Sequence, residues 1–182
     1  MNSFGNIEWL PSPGITPDKI LYPTDIWTEQ IQILFAADSS KLTILSSTFA
    51  KEKLAEVIDM VRKGLTDEAK YAARHYVLYI ERLTQYKSLP NSNDDVLQAV
   101  GSLTTLLEQK YIISVEYAEL PSLCRQEVII GLIDKIDMLY IALEERLPKK
   151  ATDSLFFKKD EVSWSWEIAN ELDTIYGNNI PP

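Results

Sequence analysis

Apolar residues recur every three to four positions along most of this chain, the interval that gathers them on one face of an α-helix. The first such stretch starts at Thr24, which is placed to cap it, and sets Ile26, Trp27, Ile31, Leu34 and Phe35 on a common face as far as Asp38. A second helix is predicted from Ala50 to Lys63. Leu54, Val57, Ile58 and Val61 form its stripe, Arg62 and Lys63 suit the negative end of its dipole, and Gly64 stops it. A third opens at Thr66 and Asp67 and runs to Tyr86 or Lys87 along a seam of Ala69, Ala72, Ala73, Tyr76, Val77, Ile80 and Leu83. Pro90, Asn91, Ser92 and Asn93 make the clearest loop. Asn93 or Asp94 then caps a fourth helix with Val96, Val100, Leu103 and Leu107 inward. Pro121 and Ser122 begin the fifth and strongest helix, which ends at Leu147 before Pro148. Ser163 is placed to cap a sixth, closed by Gly177.

Two stretches do not commit to this period. In residues 41–50 (KLTILSSTFA) the Thr, Ile and Ser residues favour strand or irregular chain, and residues 111–117 (YIISVEY) read as an extended link or as helix continuation. Residues 1–23 hold four of the nine prolines, each of which biases its predecessor away from helix, so an extended arm is expected there. Its Trp9, Leu10, Ile15, Ile20, Leu21 and Tyr22 are too apolar for a free tail, which predicts that the arm lies across the body or across a partner. The expectation is an all-α, single-domain bundle of five or six helices over 24–182 with a Pro-rich extended N-terminal arm over 1–23. No internal repeat of about 20–50 residues is visible, which argues against a solenoid.

Composition narrows the chemistry. The 182 residues include one Cys (Cys124), one His (His75) and six Gly, and the formal charge is -9. A single Cys makes no internal disulfide, and the N-terminus has neither a basic nor an apolar signal region. No apolar run approaches the roughly 18 residues of a membrane span. A soluble, reduced, cytoplasmic protein is expected. The acidic balance disfavours nucleic acid and anionic membranes, which call for clustered Lys and Arg.

Neither Cys124 nor His75 has a catalytic or metal-binding companion at helical spacing. Both are expected to be structural, and no catalytic residue, metal or cofactor is assigned. With six glycines, no phosphate-cradling Gly-rich motif is present. One carboxylate constellation stands out: Glu116-x-x-Glu119, fourteen residues, then Asp134-x-x-Asp137. This spacing resembles the Glu-rich motif of the all-α nucleotide pyrophosphohydrolases, which implies carboxylates on facing helices holding Mg²⁺ against a nucleotide's phosphates. The chain departs from that motif at Asp134, where the family has Glu, and at Pro121, which follows Glu119 closely.

The remaining signal is charge beside exposed-looking hydrophobes. On the fifth helix, Ile129, Leu132, Ile133, Ile136, Tyr140, Leu143 and Leu147 fall on one side. Asp134, Asp137, Glu144 and Glu145 fall on another, together with Ile130, Met138 and Ile141. Glu167, Glu171 and Asp173 share the last helix with Trp164 and Trp166. Residues 1–50 carry a net charge of -3, residues 151–182 one of -4, and these two ends hold all four Trp. Acids beside large rings suit a surface that meets a basic protein. The twelve residues from Ile130 to Asp173 just named, excluding the inward stripe, are the predicted partner-binding set. The predicted function is a non-enzymatic acidic protein that neutralises or caps a basic partner, as an immunity protein or antitoxin does. A Mg²⁺-dependent hydrolase and a subunit self-associating through Ile130, Met138 and Ile141 are the alternatives.

Overall fold

The structure, a computed structural model, describes residues 10–36, 38–85 and 92–176, with side chains as far as 172. Among the described residues it is an all-α bundle without strands, as the periodicity predicts. Its elements are α1 (Tyr22–Leu34), α2 (Ser39–Arg62), α3 (Thr66–Thr84), α4 (Asn93–Tyr117), a single turn α5 (Ser122–Cys124), a π-helical turn (Arg125–Ile129), α6 (Ile130–Glu144), a second short turn α7 (Lys149–Thr152), a 3₁₀ turn (Asp153–Leu155) and α8 (Phe156–Tyr176).

Local chemistry explains most boundaries, including those that differ from expectation. Helix α1 begins at Tyr22 rather than Thr24, because Pro23 is tolerated in a first turn where its missing N–H has no partner to lose. Residues 41–50, expected to be strand or irregular, are helical. Extended Asp38 caps α2 by accepting the Lys41 N–H at 2.6 Å, and the Thr43 and Thr48 hydroxyls bond back to the Ser39 and Ile44 carbonyls. Gly64, at φ 71°, closes α2 as expected: its N–H reaches the Val61 carbonyl and that of Leu65 the Met60 carbonyl, a Schellman motif. Ser92, not Asn93 or Asp94, caps α4, in a reciprocal capping box with Asp95. Residues 111–117 continue α4. Helix α8 starts at Phe156, well before Ser163, because the preceding 3₁₀ turn already anchors buried Leu155.

Helices α2 and α3 form a closely packed hairpin, and α4 is the hub that meets α2, α3, α6 and α8. The predicted inward residues of the fifth helix, from Ile129 to Leu147, are all buried. Residues 10–21 form irregular chain and turns. Leu10 packs on the core and, with Pro11 and Pro13, lines a cleft against Ala55 and Ile58 of α2 and Ile112 of α4. The rest of the expected arm, Trp9 included, lies outside the described residues, as does Gly177. No described helix is long and apolar enough to cross a membrane.

Helix α1 differs most from expectation. Of its predicted inward face only Ile26 is buried; Trp27, Ile31, Leu34 and Phe35 face solvent, and the face turned to α2 carries Tyr22, Ile26 and Glu29. The reason lies in what α2 offers opposite.

Candidate binding surfaces and a buried ionic cluster

Lys53 of α2 is 0% exposed. Its Nζ lies 2.7 Å from Glu29 Oε1, 2.8 Å from Glu56 Oε1 and 3.3 Å from Asp25 Oδ2, so each of its three N–H donors has a carboxylate. Tyrosines close the shell. Tyr22 donates to Glu56 Oε2 at 2.9 Å, Tyr79 donates to Glu29 Oε2 at 2.6 Å, and the Tyr22 ring sits 4.9 Å from the ammonium. Gln30 donates to the Tyr79 hydroxyl and accepts from Arg82. Helix α1 thus contributes Tyr22, Asp25, Glu29 and Gln30, α2 contributes Lys53 and Glu56, and α3 contributes Tyr79 and Arg82.

Burial dominates the electrostatics. It pushes the Glu56 carboxyl up to about 7 and raises that of Glu29, in each case against the pull of Lys53. Burial also opposes the charge on Lys53, but the hydrogen bonds to Glu29 and Glu56 outweigh it and hold the ammonium above its usual range. Burial and the adjoining Glu56 raise Tyr22 likewise. His75 stands edge-on to Tyr71 and Tyr22, with Nδ1 buried and without a hydrogen-bond partner. Burial, then the charges of Lys53 and Arg74, lower its basicity. With Lys53, Glu29 and Glu56 all sealed from solvent, the ammonium has no face free for a substrate. The cluster ties helices together.

The residues selected from sequence divide into two groups. Asp134, Met138, Ile141 and Glu145, spaced four, three and four apart, form an open stripe on α6, with Met138 52% and Ile141 51% exposed. On α8, Trp164 is 65% exposed and stands with exposed Glu167 and Glu171, while Phe156 and Phe157 extend the apolar surface toward the start of that helix. The others are engaged within the fold. Both Asp137 oxygens accept from Lys110 at 2.7 Å, and Glu144 accepts from Lys159 at 2.8 Å and from the Tyr140 hydroxyl at 3.2 Å. Ile130 packs on the core, and Trp166 lies half-buried against Tyr117 with ring centroids 5.0 Å apart. The Asp173 side chain lies outside the described residues.

Of the hydrolase-like carboxylates, Glu116 pairs with Arg62 and Asp137 with Lys110, and Glu119 falls beyond the end of α4. Among the described residues, no group of three or more His, Cys, Asp or Glu is placed to hold a metal ion. Cys124 is buried, its Sγ 3.0 Å from the Thr66 hydroxyl.

Sequence reasoning missed the Lys53 cluster, although it left a mark. Lys53 lies between Phe49 and Val57 at i−4 and i+4, and Glu29 lies between Ile26 and Ile33. A charge set inside an apolar stripe on each of two neighbouring helices is the pattern of a buried pair.

Taken together, these features define a helical bundle whose Lys53 cluster is locked away and whose acidic–apolar faces are open. The chain belongs to the family described as a domain of unknown function (DUF5667), whose model matches residues 14–111. No curated protein and no solved structure matches it. The matched stretch starts before α1 and ends within α4. It therefore contains every residue of the Lys53 cluster and none of the open residues on α6 and α8.

Proposed function

We propose that this chain is a non-enzymatic binding protein that caps a basic protein partner with the open stripe of α6 and the aromatic–acidic face of α8, in the manner of an immunity protein or antitoxin. One observation carries the reading: Met138 and Ile141 stand in solvent, flanked along the same stripe by Asp134 and Glu145. Apolar area drives association, while the flanking carboxylates steer a cationic partner and repel an acidic one. The same carboxylates disfavour self-association through this face, since two copies would bring like charges together. The hydrolase alternative is the weaker, because Arg62 and Lys110 already occupy Glu116 and Asp137.

The test is calorimetric titration against basic proteins encoded beside this gene, at low and at high salt. Tight binding that weakens with salt, and weakens further for Asp134→Lys with Glu145→Lys, is the expected result. Binding indifferent to that charge reversal, or no basic partner at all, overturns it.

A further inference from the structure

The outer face of α1 is unusual in this acidic molecule. Its exposed residues are Pro23, Thr24, Trp27, Thr28, Ile31, Gln32 and Leu34, none of them charged, with exposed Phe35 continuing the face. Trp27 is 73% and Leu34 79% exposed. At 100° per residue, Trp27, Ile31, Leu34 and Phe35 centre on Ile31, while Tyr22, Glu29 and Ile33 centre on the opposite side, toward α2. Both charged residues of this helix, Asp25 and Glu29, are held by Lys53 on that inward side.

A helix rolled half a turn about its axis would bury Trp27, Ile31 and Leu34 and return its carboxylates to water. Area burial alone favours that arrangement, and the sequence pattern predicts it. What prevents it is the polar fastening: Tyr22 to Glu56, Glu29 to Lys53 and Tyr79, and Gln30 to Tyr79. Rolling α1 away would leave Lys53 and Glu56 buried without partners from α1, a large penalty. The buried cluster therefore fixes α1 with its apolar face outward.

We propose that this face is a homodimer surface, α1 of one copy packing against α1 of a second about a twofold axis near Ile31. Charge selects the occupant. Two copies of a chain with a formal charge of -9 repel wherever their acids meet, as they would across the α6 or α8 stripes. The α1 face brings no charge to the contact, and an isologous interface requires a patch that tolerates its own copy. A basic partner finds nothing on this face to pair with. An anionic lipid surface finds no Lys or Arg along the helix, where interfacial helices carry them.

Sedimentation velocity on the full chain over the micromolar range tests this, with Trp27→Lys, Leu34→Lys and, as the control face, Met138→Lys with Ile141→Lys. All four positions are exposed, and circular dichroism checks that each variant keeps its helices. The expected result is a concentration-dependent dimer whose dissociation constant rises about tenfold or more in either α1 variant and stays unchanged in the α6 control. A wild-type monomer throughout the range overturns the proposal. So does a dimer lost only in the α6 control, or Trp27-dependent binding to neutral phosphatidylcholine vesicles by a chain that stays monomeric.

Discussion

Two regions of this molecule use acidic residues in opposite ways. At the junction of α1, α2 and α3, three carboxylates converge on one fully buried ammonium, and the apolar side of α1 is turned out to solvent. On α6 and α8 the apolar stripes are buried in the ordinary way, and Asp134, Glu145, Glu167 and Glu171 stand outside among a few exposed hydrophobes. In the first region charge fixes how a helix is rotated; in the second it colours a surface. A carboxylate's chemical type says little about its role. What decides is whether a cation was buried opposite it.

The sharpest way to break this contrast is Lys53→Met. The substitution keeps most of the stem's packing but leaves Glu29 and Glu56 buried without their cation, and it should destabilise the fold by about 3–5 kcal/mol in chemical denaturation. Adding Glu29→Gln and Glu56→Gln to the same chain removes the stranded charges and should restore most of that loss. A Lys53→Met chain as stable as wild type would mean that the cluster does not hold α1 in place.

The pH dependence sharpens it further. Glu56 releases its proton near 7 in the folded chain and near 4.5 when unfolded. Between those values the folded state binds the extra proton, so this group's contribution to stability falls as pH rises from about 4.5 to 7 and is level outside that window. His75 works in reverse. Its basicity is depressed on folding, so below about 6.5 the unfolded chain binds the extra proton and stability rises with pH there. Denaturation midpoints measured across pH should show Glu56→Gln removing that group's share of the falling component, the share of Glu29 remaining, and His75→Phe removing the rise below about 6.5. Two flat difference curves would place both groups in water rather than in the interior.

These two regions also mark what the sequence reveals and what it hides. Periodicity alone identifies the bundle and the buried seams of α2, α3 and α6, because on each of them one face is much the more apolar and wins without competition, even on α2 where that face also carries Lys53 and Glu56. It misplaces α1, where two faces compete: the more apolar one loses to the one carrying Tyr22 and Glu29, and the deciding partner, Lys53, lies more than twenty residues away on another helix. It leaves residues 41–50 open because a cap, Asp38, overrides their strand preference. The open stripe Asp134, Met138, Ile141 and Glu145 was legible from spacing. The capture of Asp137 by Lys110 was not, since helix spacing is blind to cations arriving from α4.

That last distinction yields the smallest and most selective effect. Asp137 and Asp134 lie three residues apart on α6, yet only Asp137 holds the largely buried Lys110 ammonium, through both oxygens. Asp137→Ala strands that charge and should destabilise the fold by about 1–3 kcal/mol. Asp134→Ala, at an exposed position, should change stability by less than about 0.5 kcal/mol. If the proposed basic partner binds this stripe, its binding should respond in the other order, because exposed Asp134 has its carboxylate free for a cation whereas both Asp137 oxygens already accept from Lys110 of α4. Measuring stability and binding on the same two variants separates a carboxylate that builds the bundle from one that addresses a partner. Equal effects of the two substitutions on stability would erase the distinction between supporting and recognising acids on α6.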